Sequence, residues 1–396
     1  MAKALIKGKM ITWGRERSHV LPAALAKKLG IPEERLTQWE SGEDLPTLAQ
    51  AQKIANTLHI PLGYLYLEQP PRELAEAPDL RTVRNQSRDE FSPDFIETYQ
   101  SVQLRQQWFR EFRLQEGYPE LPFVGLFNEH TALETVVSAM SELLEVDRLR
   151  KEASNNAQLA SLLVQQAENL GILVFRSGVV GRDTHRGLSV EEFRGFAIYD
   201  TYAPAIFINT KDAKSAQVFS ILHELAHIWI GEGGVSNYDL ADKPSEKIPS
   251  VETRCDRIAA EVLVPQNLLT RSWRESLDPI ENTQKLSSQF KVSRLVIAIR
   301  ARDCKLVTND EFRQLYVIEM KREQSQRNKE KLSSGGPNPN LMLSMQNGRL
   351  FSQALLSQLY EGKVLFREAG RLLGIKKLDG IDPYYRYLNG QGDKAA

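Results

Sequence analysis

Cysteine is almost missing: Cys255 and Cys304 are the only two in 396 residues. Two thiols cannot build a disulfide framework, so stability has to come from buried apolar surface, for which a chain this long has ample material. Net charge is missing as well, since 51 basic residues balance 51 acidic ones. That balance excludes a chain-wide polycation and a solvating polyanionic tail. No apolar run reaches the ~20 residues of a membrane span. Met1–Lys9 carries lysines with no apolar stretch behind them, so a secretory leader is not expected. The composition predicts a soluble cytoplasmic protein of two or three domains. Histidine is scarce too, with six in the chain, which makes the placement of two of them informative.

Those two lie in His223-Glu224-Leu225-Ala226-His227, an H-E-x-x-H motif inside the apolar run Val218–Ile230. Residues four apart share a helix face, so both imidazoles can reach one metal ion. Glu224 follows the first histidine and is placed to take a proton from water. A catalytic zinc site uses three protein ligands and keeps a fourth position open. The third ligand must therefore come from elsewhere, and Glu252-Thr253-Arg254-Cys255-Asp256 offers it. An E-x-x-x-D spacing puts both carboxylates on one helix face. Glu252 is the expected ligand, and Asp256 the acceptor of a proton from a liganding histidine, which fixes its tautomer. Glu261 is the rival, in a stretch that reads as helix packing. Cys255 reads as a small packing residue. No spacing selects an oxyanion donor among His185, Asn237 and Tyr238.

Around this motif the chain alternates between helical and extended patterns. Leu25 and Leu29 mark a helix stopped by Gly30. Leu36 and Trp39 mark a second, stopped by Gly42, and Pro46–Leu58 reads as a third. Three- to four-residue turns between compact helices suggest a helix-turn-helix. Asp79–Asp94 reads as an extended linker, and Tyr99–Gln115, Thr131–Arg150 and Asn156–Leu170 as helical. Ile172–Arg176, Gly195–Tyr199 and Ala205–Asn209 are short β-branched and aromatic runs expected to be strands. An extended substrate is expected to add beside Ala205–Asn209. Helices are expected at Val251–Val264, Thr283–Phe290 and Ser293–Arg302, a flexible linker at Gln326–Asn340, and helices at Leu350–Glu361 and Val364–Leu373. The apolar stripes Phe351, Leu355, Leu356, Leu359 and Leu365, Phe366, Leu372, Leu373 fit equally a waiting partner and docking within the chain.

With its flanks Glu191–Phe196 and Ala205–Asn209, the H-E-x-x-H helix and Glu252–Pro265, the central region resembles the ImmA/IrrE family of zinc peptidases. The resemblance implies a small sheet packed on two ligand-bearing helices. It also implies Zn2+ held by His223, His227 and Glu252, with Glu224 as the catalytic carboxylate. Leu25–Ile31 followed by Trp39-Glu40-Ser41-Gly42 resembles the Xre/Cro repressor-like helix-turn-helix, whose second helix enters the major groove. That implies groove-facing Glu33, Glu34, Thr37 and Gln38, with Lys27, Lys28 and Arg35 near phosphates. Adjacent glutamates accept from cytosine but repel phosphate, so a module that docks protein stays an alternative. Ser287–Arg294 also looks helix-turn-helix-like, and is expected to brace the peptidase core.

The expected fold is α+β. It comprises an all-helical domain at residues 1–71, a linker and helix at 72–125, a zincin-like peptidase domain at 126–305, and a linker with a helical region at 306–396. The expected function is zinc-dependent endopeptidase action on a repressor-like or toxin-associated protein, by a chain that also carries a DNA-binding-type module. The alternative is a non-proteolytic antitoxin or repressor that binds its own operator and a partner toxin. A homodimer fits both.

Overall fold

A computed structural model of the chain describes residues 3–17, 20–58, 60–70, 91–128, 130–232, 234–236, 250–332 and 338–390. They fall into two compact units, one of residues 3–70 with 91–97, the other from residue 98 onward. The expected linker at Asp79–Asp94 lies mostly outside the described residues.

The first unit is helical. It contains α1 (Gly8–Arg17), α2 (Pro22–Leu29), α3 (Glu33–Ser41), α4 (Leu48–Thr57) and a 3-10 turn, Leu62–Tyr66. Pro22 opens α2, where a missing N–H costs nothing. Gly30 closes it in the left-handed region at φ 73°, and Gly42 closes α3 at φ 82°, conformations that carry little penalty without a Cβ. Thr47 and Gln50 form a reciprocal capping box at the start of α4. Met10, Ile11, Leu25, Leu36, Trp39 and Ile54 fill the core.

The second unit takes most of α5 (Pro93–Gln115), then α6 (Leu133–Leu143), α7 (Val146–Glu152) and α8 (Asn156–Asn169). There follow β1 (Leu173–Ser177), β2 (Gly195–Ile198), β3 (Ala205–Asn209), α9 (Lys214–Ile230), β4 (Gly234–Ser236) and α10 (Ser250–Leu263). The remaining helices are α11 (Gln266–Ser272), α12 (Pro279–Phe290), α13 (Arg294–Asp303), α14 (Asn309–Leu332), α15 (Pro339–Asn347), α16 (Arg349–Tyr360), α17 (Phe366–Leu373) and α18 (Ile381–Leu388).

The sheet order is β1-β3-β2-β4. β1 runs parallel to β3, β2 antiparallel to β3, and β4 antiparallel to β2. β3 thus lies between two partners and has no free edge, so the expected substrate pairing beside Ala205–Asn209 is ruled out. One sheet face, with Val174, Ala197, Ile206 and Ile208, packs into the core that holds α9. The other carries Phe196 stacked on Phe207 at 5.0 Å, with Tyr99 of α5 at 5.1 Å from Phe196. Burial on both faces explains why these strands are continuous apolar runs rather than alternating ones.

The C-terminal helices dock on this unit. Phe351 of α16 makes edge contacts with Phe175 of β1 and Trp108 of α5. The Arg105 guanidinium donates to the Leu372 carbonyl at 2.8 Å. Glu168 accepts from the backbone N–H groups of Arg349 and Leu350 at 2.6 and 3.0 Å, capping α16 from α8. Phe351, Leu355, Leu356 and Leu359 are buried. Leu365 and Phe366 instead remain largely exposed, at 73% and 46%, because α17 starts at Phe366 and turns Ala369, Leu372 and Leu373 inward. The expected linker from Gln326 is also corrected in part, since α14 continues to Leu332. Ser287–Arg294 joins α12 to α13, and Phe290 and Val292 enter the core that holds α9.

Candidate metal centre

α9 and α10 lie against each other and bring the ligand set together. α9 is entered from β3 through a short turn, held where Asp212 takes the Arg194 guanidinium at 2.8 Å. It ends at Gly231, φ 82°, whose N–H returns to the His227 carbonyl. Along the helix His223, Glu224 and His227 are all buried, each at or below 1% exposure. Arg150 of α7 caps α10 from below, donating to the Val262 and Leu263 carbonyls.

Two ring nitrogens and one carboxylate converge. The Nε2 atoms of His223 and His227 are 3.2 Å apart. Glu252 places Oε2 at 3.3 Å from His223 Nε2 and Oε1 at 3.4 Å from His227 Nε2. Ligands about 2.0–2.1 Å from a tetrahedral ion lie about 3.3–3.4 Å from one another. The observed spacing matches that requirement. His223 donates its Nδ1 proton to Asp256 Oδ1 at 2.8 Å, which leaves its Nε2 lone pair facing the centre.

The electrostatics favour a cation in the same place. Burial by itself disfavours a charged imidazole. Asp256 and Glu252 beside His223, and Cys255 and Glu252 beside His227, reverse this and hold both rings well above the ordinary histidine range. Burial likewise opposes ionisation of Glu252, but the two rings drive it far below the ordinary carboxylate range. Three Lewis bases that each stabilise positive charge at one point fit a divalent ion.

His223, His227 and Glu252 are the group among the described residues that could hold a metal. Asp256 lies beside it, with Oδ1 2.8 Å from His223 Nδ1. Glu261 does not join it. Nine residues from Glu252 on the same helix, it points away, pairs with Arg300 and accepts from the Gln266 N–H. His185 sits in a turn after β1, its N–H donated to Asp183, outside the group. Asn237 and Tyr238 lie outside the described residues. Cys255 packs in the core as its sequence reading has it, with its thiol beside His227; Gly195, against which the Glu224 carboxylate packs, was not anticipated.

In the first unit, Glu33, Glu34, Thr37 and Gln38 are exposed on one side of α3. Lys27 and Lys28 are exposed at the end of α2, and the exposed Arg35 lies over the Trp39 ring. Arg15 is engaged by Glu40 at 2.8 Å in a mostly buried pair.

Three family models match. IrrE N-terminal-like domain, of the Peptidase_M78 family, covers residues 167–302, which contain β1 through nearly all of α13 and the three candidate ligands. The chain carries an IrrE-type peptidase domain. A helix-turn-helix family covers residues 15–65, so the peptidase domain shares its chain with a DNA-binding-type module. A domain of unknown function (DUF8813) covers residues 347–387, the helices that dock on the peptidase domain through Phe351 and Glu168. No curated protein and no solved structure matches the chain. No helix among the described residues is long and apolar enough to cross a membrane.

Proposed function

We propose that this chain is a zinc-dependent endopeptidase whose helix-turn-helix unit connects proteolysis to transcriptional control. The observation that carries the reading is the spacing of His223 Nε2, His227 Nε2 and the Glu252 carboxylate, with the buried Glu224 one residue from the first ligand. When bound, zinc supplies Lewis acidity, polarising a carbonyl and acidifying water. His223, His227 and Glu252 hold it, and Asp256 keeps His223 in the tautomer that presents Nε2. Glu224 takes the proton as water adds to the scissile carbonyl carbon. It returns that proton to the nitrogen as the C–N bond breaks. Apolar walls built by α9 and the sheet keep bulk water from the carboxylate. Because β3 is paired on both sides, an extended substrate would add beside β4, whose outer edge has no strand partner among the described residues.

A repressor-like or toxin-associated protein is the substrate class in keeping with a helix-turn-helix on the same chain. The exposed side of α3 is the surface by which that unit would reach operator DNA. Purification of wild type and Glu224→Gln from the native host, compared by mass spectrometry and elemental analysis, tests the reading. Equal zinc in both, with an intact protein accumulating only on the variant, is the expected result. Identical co-purifying proteins, cleaved to the same extent, would favour a non-proteolytic antitoxin or repressor instead.

A further inference from the structure

α10 separates its charges onto two sides. A helix turns about 100° per residue, so Glu252 and Asp256 share one side while Arg254 and Arg257 stand one turn apart on the other. All three carboxylates of the helix are engaged. Glu252 faces the ring nitrogens of His223 and His227, Asp256 accepts from His223 Nδ1, and Glu261 pairs with Arg300. Glu261 is also the one carboxylate of α10 at three- or four-residue spacing from either arginine, where helix neighbours meet. The two guanidinium groups are therefore like charges one turn apart, without an acid of their own helix between them. Arg254 has a fixed place, donating to the Thr131 carbonyl just before α6. Arg257 is exposed and enters no ion pair among the described residues.

Both arginines line a cleft of about 490 Å³. Its apolar lining is Leu133 of α6, Ile230 at the end of α9 and Val251 of α10, and His130 adds an imidazole. No carboxylate is among the described residues that line it. Ligand pockets typically measure ~300–1,000 Å³, so the cleft has the size for a small organic molecule. Charge of one sign in a concavity with apolar walls concentrates counter-ions there. A guanidinium offers paired N–H donors in one plane, which match the oxygens of a carboxylate or phosphate. Leu133, Ile230 and Val251 suit a hydrocarbon body on the same molecule.

We infer that this cleft binds a small anionic molecule, a carboxylate or phosphate head on an apolar body, with Arg257 as the main contact of the head. The site lies on the side of α10 turned away from Glu252 and Asp256, so it is distinct from the candidate metal centre. It goes beyond the peptidase reading and does not depend on it.

Binding of anilinonaphthalene sulfonate, a fluorescent anion with an apolar body, to the full-length chain tests this. Octanoate, octyl phosphate and uncharged octanol are the competitors. The probe is expected to occupy one site per chain and to be displaced by octanoate or octyl phosphate, but not by octanol at equal concentration. The stronger of the two anions identifies the preferred head. Arg257→Glu is expected to weaken probe binding at least about tenfold, and Arg257→Lys to weaken it less, because the charge is kept. Leu133→Trp, which fills the apolar part of the cleft, is expected to abolish it. Arg257 is exposed, so its variants are expected to keep the wild-type Tm and zinc content. Since an anion can also sit on a metal ion, each titration is run on zinc-loaded and on chelator-treated protein. Binding that vanishes with the metal, that survives Arg257→Glu unchanged, or that yields to octanol as readily as to octanoate overturns the inference. So does a wild type that binds no probe. None of these results requires turnover, so an absence of cleavage would sink the peptidase reading and leave this one standing.

Discussion

His223 Nδ1 and Asp256 Oδ1 are 2.8 Å apart, across the contact between α9 and α10. The bond joins the candidate ligand His223 on one helix to a carboxylate one turn beyond the candidate ligand Glu252 of the other. It therefore orients the ring and couples the two helices at the candidate metal centre. Asp256→Ala is expected to weaken zinc binding about 10–100-fold while leaving the fold intact. Competition with a chelator of known affinity measures the change. Unaltered affinity would mean that packing of α9 alone orients the ring.

Protons and metal compete for the same three groups, and the sign of the pH dependence follows. Both histidines are raised above their ordinary range in the folded chain. Their contribution to metal-free stability is full below the unfolded histidine pKa of about 6.5 and is lost as pH rises through the folded values. Glu252 is lowered, so its contribution is present above about 4.3 and is lost in acid, as pH falls through its folded value. Metal-free protein is expected to lose Tm as pH rises above neutrality, whereas zinc-loaded protein is not. Zinc affinity is expected to rise by up to about tenfold per pH unit for each proton displaced. Calorimetric melts of chelated and loaded protein between pH 5 and 9 check both. A metal-free Tm that stays flat above pH 6.5 would contradict the charge balance described for the rings.

What the sequence made legible was local. Gly30 and Gly42 stop their helices where expected, and the three β-branched runs are β1, β2 and β3. H-E-x-x-H and E-x-x-x-D each carry a helical period, so their side chains could be assigned to faces without a fold. What escaped depends on distant partners. Ala205–Asn209 reads as an edge or a centre equally well until β1 and β2 are seen on either side. Leu365 and Phe366 fit the apolar period of a helix whose start, at Phe366, is set by its docking. α1 has a glycine at each of Gly8 and Gly14 and a low apolar content, and its helicity comes from burying Met10 and Ile11. β4 is three residues long, too short for any pattern. Gly195 stood within the motif that carried the family resemblance, yet a glycine has no chemistry to announce, and its contact is with a residue 29 positions away.

Arg150 ties α7 to the far end of the helix bearing Glu252. It is 9% exposed, donates to the carbonyls of Val262 and Leu263, and lies 5.6 Å from the centre of the Phe290 ring. Arg150→Ala leaves two buried carbonyls without that donor and removes a packed guanidinium. The expected loss is about 2–3 kcal/mol of stability, seen by denaturant unfolding. Arg150→Lys is expected to recover only part, since one ammonium cannot reproduce a planar fork. Full recovery by lysine would indicate that charge, and not the geometry of the cap, is what α10 requires.

Glu168 makes a comparable joint between the peptidase domain and the C-terminal helices. Its carboxylate is half-buried, desolvation raises its pKa, and the N–H groups of Leu350 and Arg349 and the charge of Arg176 oppose that rise. Glu168→Ala is expected to cost about 1–2 kcal/mol through the lost cap and to speed amide exchange across Arg349–Tyr360. Hydrogen exchange read by mass spectrometry localises the effect. Protection unchanged in that helix would assign its docking to Phe351 and the apolar stripe alone.

The exposed side of α3 sets a limit on duplex binding that can be reversed by charge. Glu33 and Glu34 stand at its first turn, where a DNA-reading helix meets phosphates on either side of the groove. Each exposed carboxylate there repels the backbone, and counterion release, the main source of affinity for any duplex, is reduced. Glu33→Lys with Glu34→Lys is expected to strengthen binding to non-specific duplex at least tenfold at low salt. It should also steepen the dependence of log affinity on log salt by about two to four. Fluorescence anisotropy over 50–200 mM salt reads both quantities. If the wild type already binds its own upstream region tightly and the double change weakens that binding, the glutamates are reading bases. If neither protein binds duplex at any salt, the α3 face is turned to a protein and the helix-turn-helix of this chain is a docking unit.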